Sequence, residues 1–382
     1  MKLLIGADLV PTDTNTDLFS AGDVDTLVGK ALQEILSGAD YRVFNLEVPL
    51  TDFSTPIEKN GPALIAPTET IIGYRSLGVD CLTVANNHIM DQGEEGFSST
   101  MTLLDQKNIA HLGGGSCLEE AAKPHIVELG GKRIGFYACV EHEFSIAGEN
   151  TPGANPFDPL ETPDHVAALK EQCDFLVVLY HGGKEHYRYP SPMLQKTCRK
   201  LVDKGADLVL CQHSHCIGCE EKYQKGTIVY GQGNFLFDHS KSEFWQTSLL
   251  VQIEDGQSED GQEFEISYIP LCKRDNTVRL AEGEEAAQIL ADFHIRSGEI
   301  LEPGFIEGNY ALFAKQMRLQ YLIAFGGKES KLLRLCNKLC GNRLRHWLHR
   351  RRYDKKKLLA ISNYVRCEAH RELLLQGLRQ EQ

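Results

Sequence analysis

No stretch of this 382-residue sequence approaches the roughly 18 consecutive apolar residues that a membrane-spanning helix needs. The opening Met1-Lys2-Leu3-Leu4-Ile5 is too short for the apolar core of a secretory signal, and no small-residue cleavage site follows it. Both absences predict a protein that is neither membrane-integral nor exported, and therefore cytoplasmic. A disulfide framework is missing too. The twelve cysteines are scattered, and Cys81, Cys139, Cys173 and Cys211 sit in apolar, strand-like runs where reduced thiols act as small hydrophobes. Cys216 and Cys219 have zinc-ribbon spacing, but no second such pair accompanies them, and Cys336 and Cys340 are wrongly spaced to complete a site. There is no internal repeat and no long low-complexity linker.

What is present is an ordinary globular composition, 42% hydrophobic and 24% charged, enough for a large core without covalent staples. The net charge of −13 is unevenly spread. Residues 331–382 hold 14 Lys and Arg against 4 Asp and Glu, so the first 330 residues carry −23. An acidic body of that kind argues against nucleic-acid binding. In the basic tail Leu344, Trp347 and Leu348 fall at i, i+3 and i+4, one apolar face of a helix. That face admits three readings. It packs on the acidic body, it docks on the anionic inner face of a membrane with Trp347 at the interface, or it binds nucleic acid.

Short apolar runs alternate with helix-period segments through the first 240 residues. Strands are predicted at Lys2–Gly6, Tyr41–Leu46, Cys81–Ala85, Lys132–Cys139, Asp174–Tyr180, Ala206–Gln212 and Thr227–Gly231. Helical patterns between them, such as Asp25–Leu36 and Ser191–Lys204, predict βαβ units and a mostly parallel inner sheet. Thr247–Glu254 and Gln262–Leu271 then read as a hairpin, suited to a second, antiparallel or mixed sheet. From about Gly283 the pattern is helical to the end. The expected organisation is a domain over 1–300 and a helical, basic extension over 301–382.

Five polar clusters stand at or just after strand ends, where open α/β sheets place their ligands. They contain Asp8; Asn45 and Glu47; Asn87, His88 and Asp91; His181; and His213 with His215. Each alone has a plain structural explanation, as a turn residue or a satisfied core histidine. On an extended strand, however, i and i+2 point the same way, so His213 and His215 can address one spot. Carboxylate, amide oxygen and imidazole without thiolate is the ligand chemistry of a borderline divalent metal, here one or two ions of Mn, Fe or Zn. Two such ions sharing a carboxylate would clamp a phosphoryl or carbonyl group and activate water.

Four stretches, NLEVPLTD, VANNHIMDQGEEGF, VVLYHGGKEHYRYPSP and GADLVLCQHSHCIGCEEKYQKGTIVYGQGNFLFD, resemble signatures of the CapA family of capsule (poly-γ-glutamate) biosynthesis proteins. The resemblance covers about residues 1–240. It implies the calcineurin-like metallophosphoesterase class, a four-layer α/β/β/α sandwich, with the hairpin in its second sheet. It further implies Asp8, Glu47 and His215 on one ion, and Glu47, Asn87, His181 and His213 on the other. His88 would be the catalytic histidine, oriented by Asp91. Val10 stands where the broader class has a histidine, Glu47 where it usually has aspartate, and Gly182 where CapA-like chains usually have tryptophan. Asn45 and Glu185 are candidates for the substrate rim.

The expected biochemistry is hydrolysis of a phosphoester or an anionic polymer-related substrate, with His88 donating a proton to the leaving oxygen. Two alternatives stay open: a non-catalytic metal-binding subunit of a polymer-synthesis complex, and a γ-glutamyl amide hydrolase using the same site.

Overall fold

A computed structural model describes residues 1–237, 241–256, 263–326, 338–339 and 351–379. The chain divides into two compact units, Met1–Glu307 and Gly308–Gln382.

Two sheets organise the first unit. One runs Thr277–Leu280, Phe264–Arg274, Thr247–Asp255, Lys2–Val10, Tyr41–Asn45, Cys81–Thr83, Ala110–Leu112, with Asn234–Phe237 also pairing the end of Lys2–Val10. The other runs Glu220–Tyr223, Gly226–Val229, Leu208–Gln212, Phe175–His181, Lys132–Val140, His125–Leu129. Alternation along the second sheet's strands explains the layering, because successive side chains face opposite ways. Phe136, Val177, Leu179, Leu208 and Leu210 join Leu3, Ile5 and Val43 in a core between the sheets. Their neighbours Tyr137, Leu176, Val178, Val209 and Cys211 instead meet Val166, Leu169, Leu194, Cys198 and Leu201 of helices Thr162–Lys170 and Pro192–Asp203. Helices Val24–Ser37 and Gly93–Gln106 send Leu27, Leu32, Phe97 and Leu104 into the core of the first sheet. The result is the expected mixed α/β fold, with helix, sheet, sheet and helix in order.

Two expectations need correction. The early strands do not form one inner sheet: those up to Ala110–Leu112 belong to the first sheet, and Lys132–Val140, Phe175–His181, Leu208–Gln212 and Gly226–Val229 belong to the second. The hairpin after Gln246 does not found the second sheet either. Thr247–Asp255 pairs antiparallel with Lys2–Ile5 and extends the first sheet, covering an edge that the opening strand would otherwise leave bare.

Among the described residues beyond Gly283, helices run over Gly283–Glu299, Phe305–Phe325, Lys355–Arg366 and Glu368–Arg379. A break falls at Gly304, whose φ of 78° suits glycine. Among the described residues no helix is long and apolar enough to cross a membrane. Leu344, Trp347 and Leu348, the expected apolar face of the tail, lie outside the described residues.

Candidate metal centre

Parallel pairing brings the chemistry to one end of both sheets. In the first sheet Asp8 stands opposite Asn45 and Asn234, and Asn45 opposite Thr83. In the second, His181 stands opposite Gln212 and Val140. Glu47, the turn Asn86-Asn87-His88 and the loop His213-Ser214-His215 follow just beyond these strand ends.

The predicted ligands converge. Ligand atoms of Glu47, His213 and His215 all lie within 4.8 Å of one another. His181 Nε2 is 3.3 Å from Glu47 Oε1 and 3.0 Å from Asn87 Oδ1. His215 Nδ1 is 3.4 Å from Asp8 Oδ2 and 2.8 Å from Asn234 Oδ1. The His181 and His213 rings sit 5.0 Å apart.

Asn45 does not stand at a rim. It is fully buried, donating through Nδ2 to Asp8 Oδ1 at 2.7 Å and lying 3.3 Å from His181 Nδ1. Its own carbonyl oxygen accepts from Thr83 and Asn86, both at 3.0 Å. A strand-end amide with four polar neighbours is a brace between ligands, which excludes contact with solvent. Glu185, the other rim candidate, is exposed, and its charge reaches His186.

These residues suit a cation. Asp8 Oδ2, both oxygens of Glu47 and Nδ1 of His213 are buried without a hydrogen-bond partner among the described residues. Leaving such atoms unpaired costs several kcal/mol in an ordinary interior, of order 1–3 per neutral group and more for a charged one. Electropositive demand is already written in the site. Burial opposes the Glu47 charge, yet His181, then His215 and His88, more than offset it and hold the carboxyl far below its usual range. Burial, then the nearby Glu47, push the Asp8 carboxyl up. Burial also keeps His213 neutral, helped by His181 and His215. For His215 burial works downward, but the Asp8 carboxylate beside it and the Glu47 charge win and push it up to about 9. Cys216 and Cys219 belong to no such cluster among the described residues; both thiols are buried and pushed up by that burial.

The local backbone departs from the expected route. The strand ends at Gln212, and His213 and His215 have φ of 81° and 53°, so the i, i+2 rule for extended strands does not bring them together. Left-handed conformations at non-glycine residues cost about 1–3 kcal/mol each and persist where surroundings impose them. Gly233 at φ 75° lets the chain pass close to Thr247 O, which a Cβ there would meet at 2.7 Å. At Gly182 a Cβ would approach Tyr180 Cε1 to 2.5 Å and Glu141 Cγ to 2.6 Å, so this site has no room for the family's usual tryptophan.

His88 Nδ1 meets Asp91 Oδ2 at 2.6 Å. Asp91 also accepts from Leu64 N at 2.6 Å and from the Lys59 ammonium. Sequence reasoning missed Lys59, which carries no local signal as a single lysine in an irregular segment. Asn234 was visible only as the residue that follows the turn glycines Gly231 and Gly233. Sequence also missed an aromatic flank: Trp245 lies 4.7 Å from the His215 ring and donates to His186 Nε2 at 2.8 Å, and His186 stacks on Phe244 at 5.3 Å.

Fold and site together define a two-sheet α/β protein with a candidate metal centre at its strand ends. The chain belongs to the PGA_cap family of bacterial capsule synthesis proteins, whose family model matches residues 3–239. It is 28% identical over 245 residues to the PGA biosynthesis protein CapA of Bacillus subtilis (strain 168), covering 63% of this chain and 64% of that one. Against the capsule biosynthesis protein CapA of Bacillus anthracis it is 26% identical over 254 residues, covering 60% and 61%. The chain thus spans less than two thirds of the length of these relatives. Among solved structures, a putative 5'-nucleotidase from Staphylococcus aureus matches with a TM-score of 0.45 at 13% identity, over 77% of this chain and 58% of that one.

Proposed function

We propose that this chain is a metal-dependent hydrolase of a phosphoester, acting in the synthesis of a capsule or other extracellular polymer. One observation carries the reading: two buried carboxylates with unpaired oxygens lie among three imidazoles and an amide oxygen. Asp8, Glu47, Asn87, His181, His213 and His215 would hold one or two divalent ions. Such ions polarise a phosphoryl oxygen and lower the pKa of water.

The remaining work belongs to side chains. Asn45 and Asn86 fix the ligand turn through their amide bonds. His88, whose Nδ1 is engaged by Asp91, would supply a proton through Nε2 to the leaving oxygen. Asp91 can only accept, so it holds one ring orientation and one tautomer.

The test is elemental analysis of the gently purified protein, followed by turnover of p-nitrophenyl phosphate and its diester after loading with Mn, Fe or Zn. One or two ions per chain with ester turnover supports the reading. Bound metal without turnover of any ester moves the weight to a metal-binding subunit of a synthesis complex. Cleavage of a γ-glutamyl amide instead assigns the same centre to polymer trimming.

A further inference from the structure

Residues 51–66 form no helix and no long strand, yet they are bound tightly to the turn that carries Asn87 and His88. Ile57 N donates to Asp91 O at 3.0 Å. Thr55 donates through N to Gln92 Oε1 and through Oγ1 to Gln92 O, both at 2.7 Å. Gln92 Nε2 returns a bond to Leu64 O at 2.9 Å, and Leu64 N reaches Asp91 Oδ2 at 2.6 Å. Every one of these bonds ends on Asp91 or Gln92.

At the centre of this strap is Lys59. Its side chain is only 3% exposed, and lysine is almost never buried unless paired. The partner is Asp91 Oδ1, and the ammonium also lies 3.4 Å from both Asn87 O and His88 Nδ1. An ammonium offers three donors and no acceptor, and a carboxylate only accepts. With Lys59 and Asp91 so placed, the hydrogen on His88 Nδ1 goes to Asp91 Oδ2, and Nε2 is the nitrogen left to exchange a proton. Without Lys59, Asp91 would be a buried carboxylate short of its counter-charge, free to draw its donors into another arrangement.

We propose that Lys59 is a positioning residue for the proton-donating histidine: through Asp91 it locks the tautomer and ring orientation of His88. This rests on the hydrolase reading for the role of His88. In the step it serves, the water oxygen bonds to phosphorus as the bond from phosphorus to the leaving oxygen breaks. The Nε2 proton of His88 passes to that oxygen, and a proton from the attacking water restores His88.

Because the lock acts through proton donation, its loss should matter most for poor leaving groups. In the metal-loaded full chain, Lys59→Met is expected to lower kcat for phenyl phosphate by about 10–100-fold, part of the 10²–10⁴ that a positioned acid contributes. For p-nitrophenyl phosphate the loss should be under about threefold on the same reasoning, with KM and metal content unchanged. Lys59→Arg should restore most of the difference. In a His88→Ala background Lys59→Met should cost nothing further. Equal losses on the two esters, or a full additional loss in that background, would overturn the proposal. Should Lys59→Met not fold, Lys59→Gln carries the same comparison. If the wild type cleaves neither ester, the hydrolase reading falls, while the lock is read by ¹⁵N-histidine NMR. The Nδ1–H signal of His88 should then be downfield and protected in wild type and Lys59→Arg, and lost in Lys59→Met. Its persistence in Lys59→Met would overturn the lock as well.

Discussion

The two sheet ends that meet at the centre supply opposite chemistry and hold it by opposite means. The first sheet brings oxygen: Asp8, Glu47 and, from the turn beyond Cys81–Thr83, Asn87. Its groups are held by side-chain amides, with Asn45 tied to Asp8, Thr83 and Asn86, and Asn86 tied onward to Leu46 O at 2.8 Å. The second sheet brings nitrogen: His181, His213 and His215. Two of these three lie past the strand end, held in left-handed backbone and packed against one another and Trp245. Neither half is complete alone. Buried carboxylates need positive charge, which the raised His215 of the other sheet offers and the proposed metal would add.

Removing the one group that belongs to both proposed ligand sets breaks the comparison most severely. Glu47→Ala should strip the protein of both ions, beyond the roughly 10–100-fold loss of affinity that a supporting residue costs. Elemental analysis after dialysis checks it, and wild-type metal content in the variant would remove Glu47 from the centre. Next in size is His88→Ala, which stands outside both ligand sets. It should leave metal content intact and lower turnover of phenyl phosphate by about 10²–10⁴-fold. A variant that keeps wild-type turnover takes His88 out of the chemistry.

Asn45→Ala sharpens the contrast between the two ways of holding ligands. If the amide network is what fixes the first sheet's oxygens, metal affinity should fall by about 10–100-fold with all six proposed ligands still present. Titration with a chelator of known affinity reads this directly. An unchanged affinity would mean that strand register alone positions Asp8.

Much of this was legible in the chain, for identifiable reasons. Asp8, Glu47, Asn87, His88, His181, His213 and His215 each stand at or within a few residues of the end of an apolar run, and a strand end followed by polar residues is a local signal. The alternating runs likewise predicted the inner strands within a few residues, as at Lys132–Cys139 against the observed Lys132–Val140. Partnership between strands was not legible, because a parallel sheet's neighbours are fixed by distant segments. Hence the hairpin after Gln246 was assigned to the wrong sheet. Asn45 read as a rim residue for the same reason: its burial is made by Thr83, Asn86 and His181, none of them near it in sequence. Lys59 lies 32 positions from Asp91 in a segment without periodicity, so only coordinates could join them.

The smallest effect expected is on pH dependence, and it tests whether the two halves share charge before any ion arrives. His215 is raised from an ordinary 6.5 to about 9: burial pulls it down, but the Asp8 carboxylate beside it and the charge of Glu47 outweigh that. A folded-state value above the unfolded one means that, in metal-free protein, protonated His215 stabilises the fold fully below about pH 6.5. That contribution is lost as pH rises through about 9. A metal needs the neutral imidazole, so binding expels this proton and affinity should climb by about tenfold per pH unit up to about 9, then level off. His213 adds no slope, since burial already keeps it neutral. The gap in Tm between chelator-treated and metal-loaded protein should therefore widen steadily from pH 6.5 towards 9. A gap that is flat across that range would show that His215 carries no proton to surrender, and that Asp8 and His215 meet only through the metal.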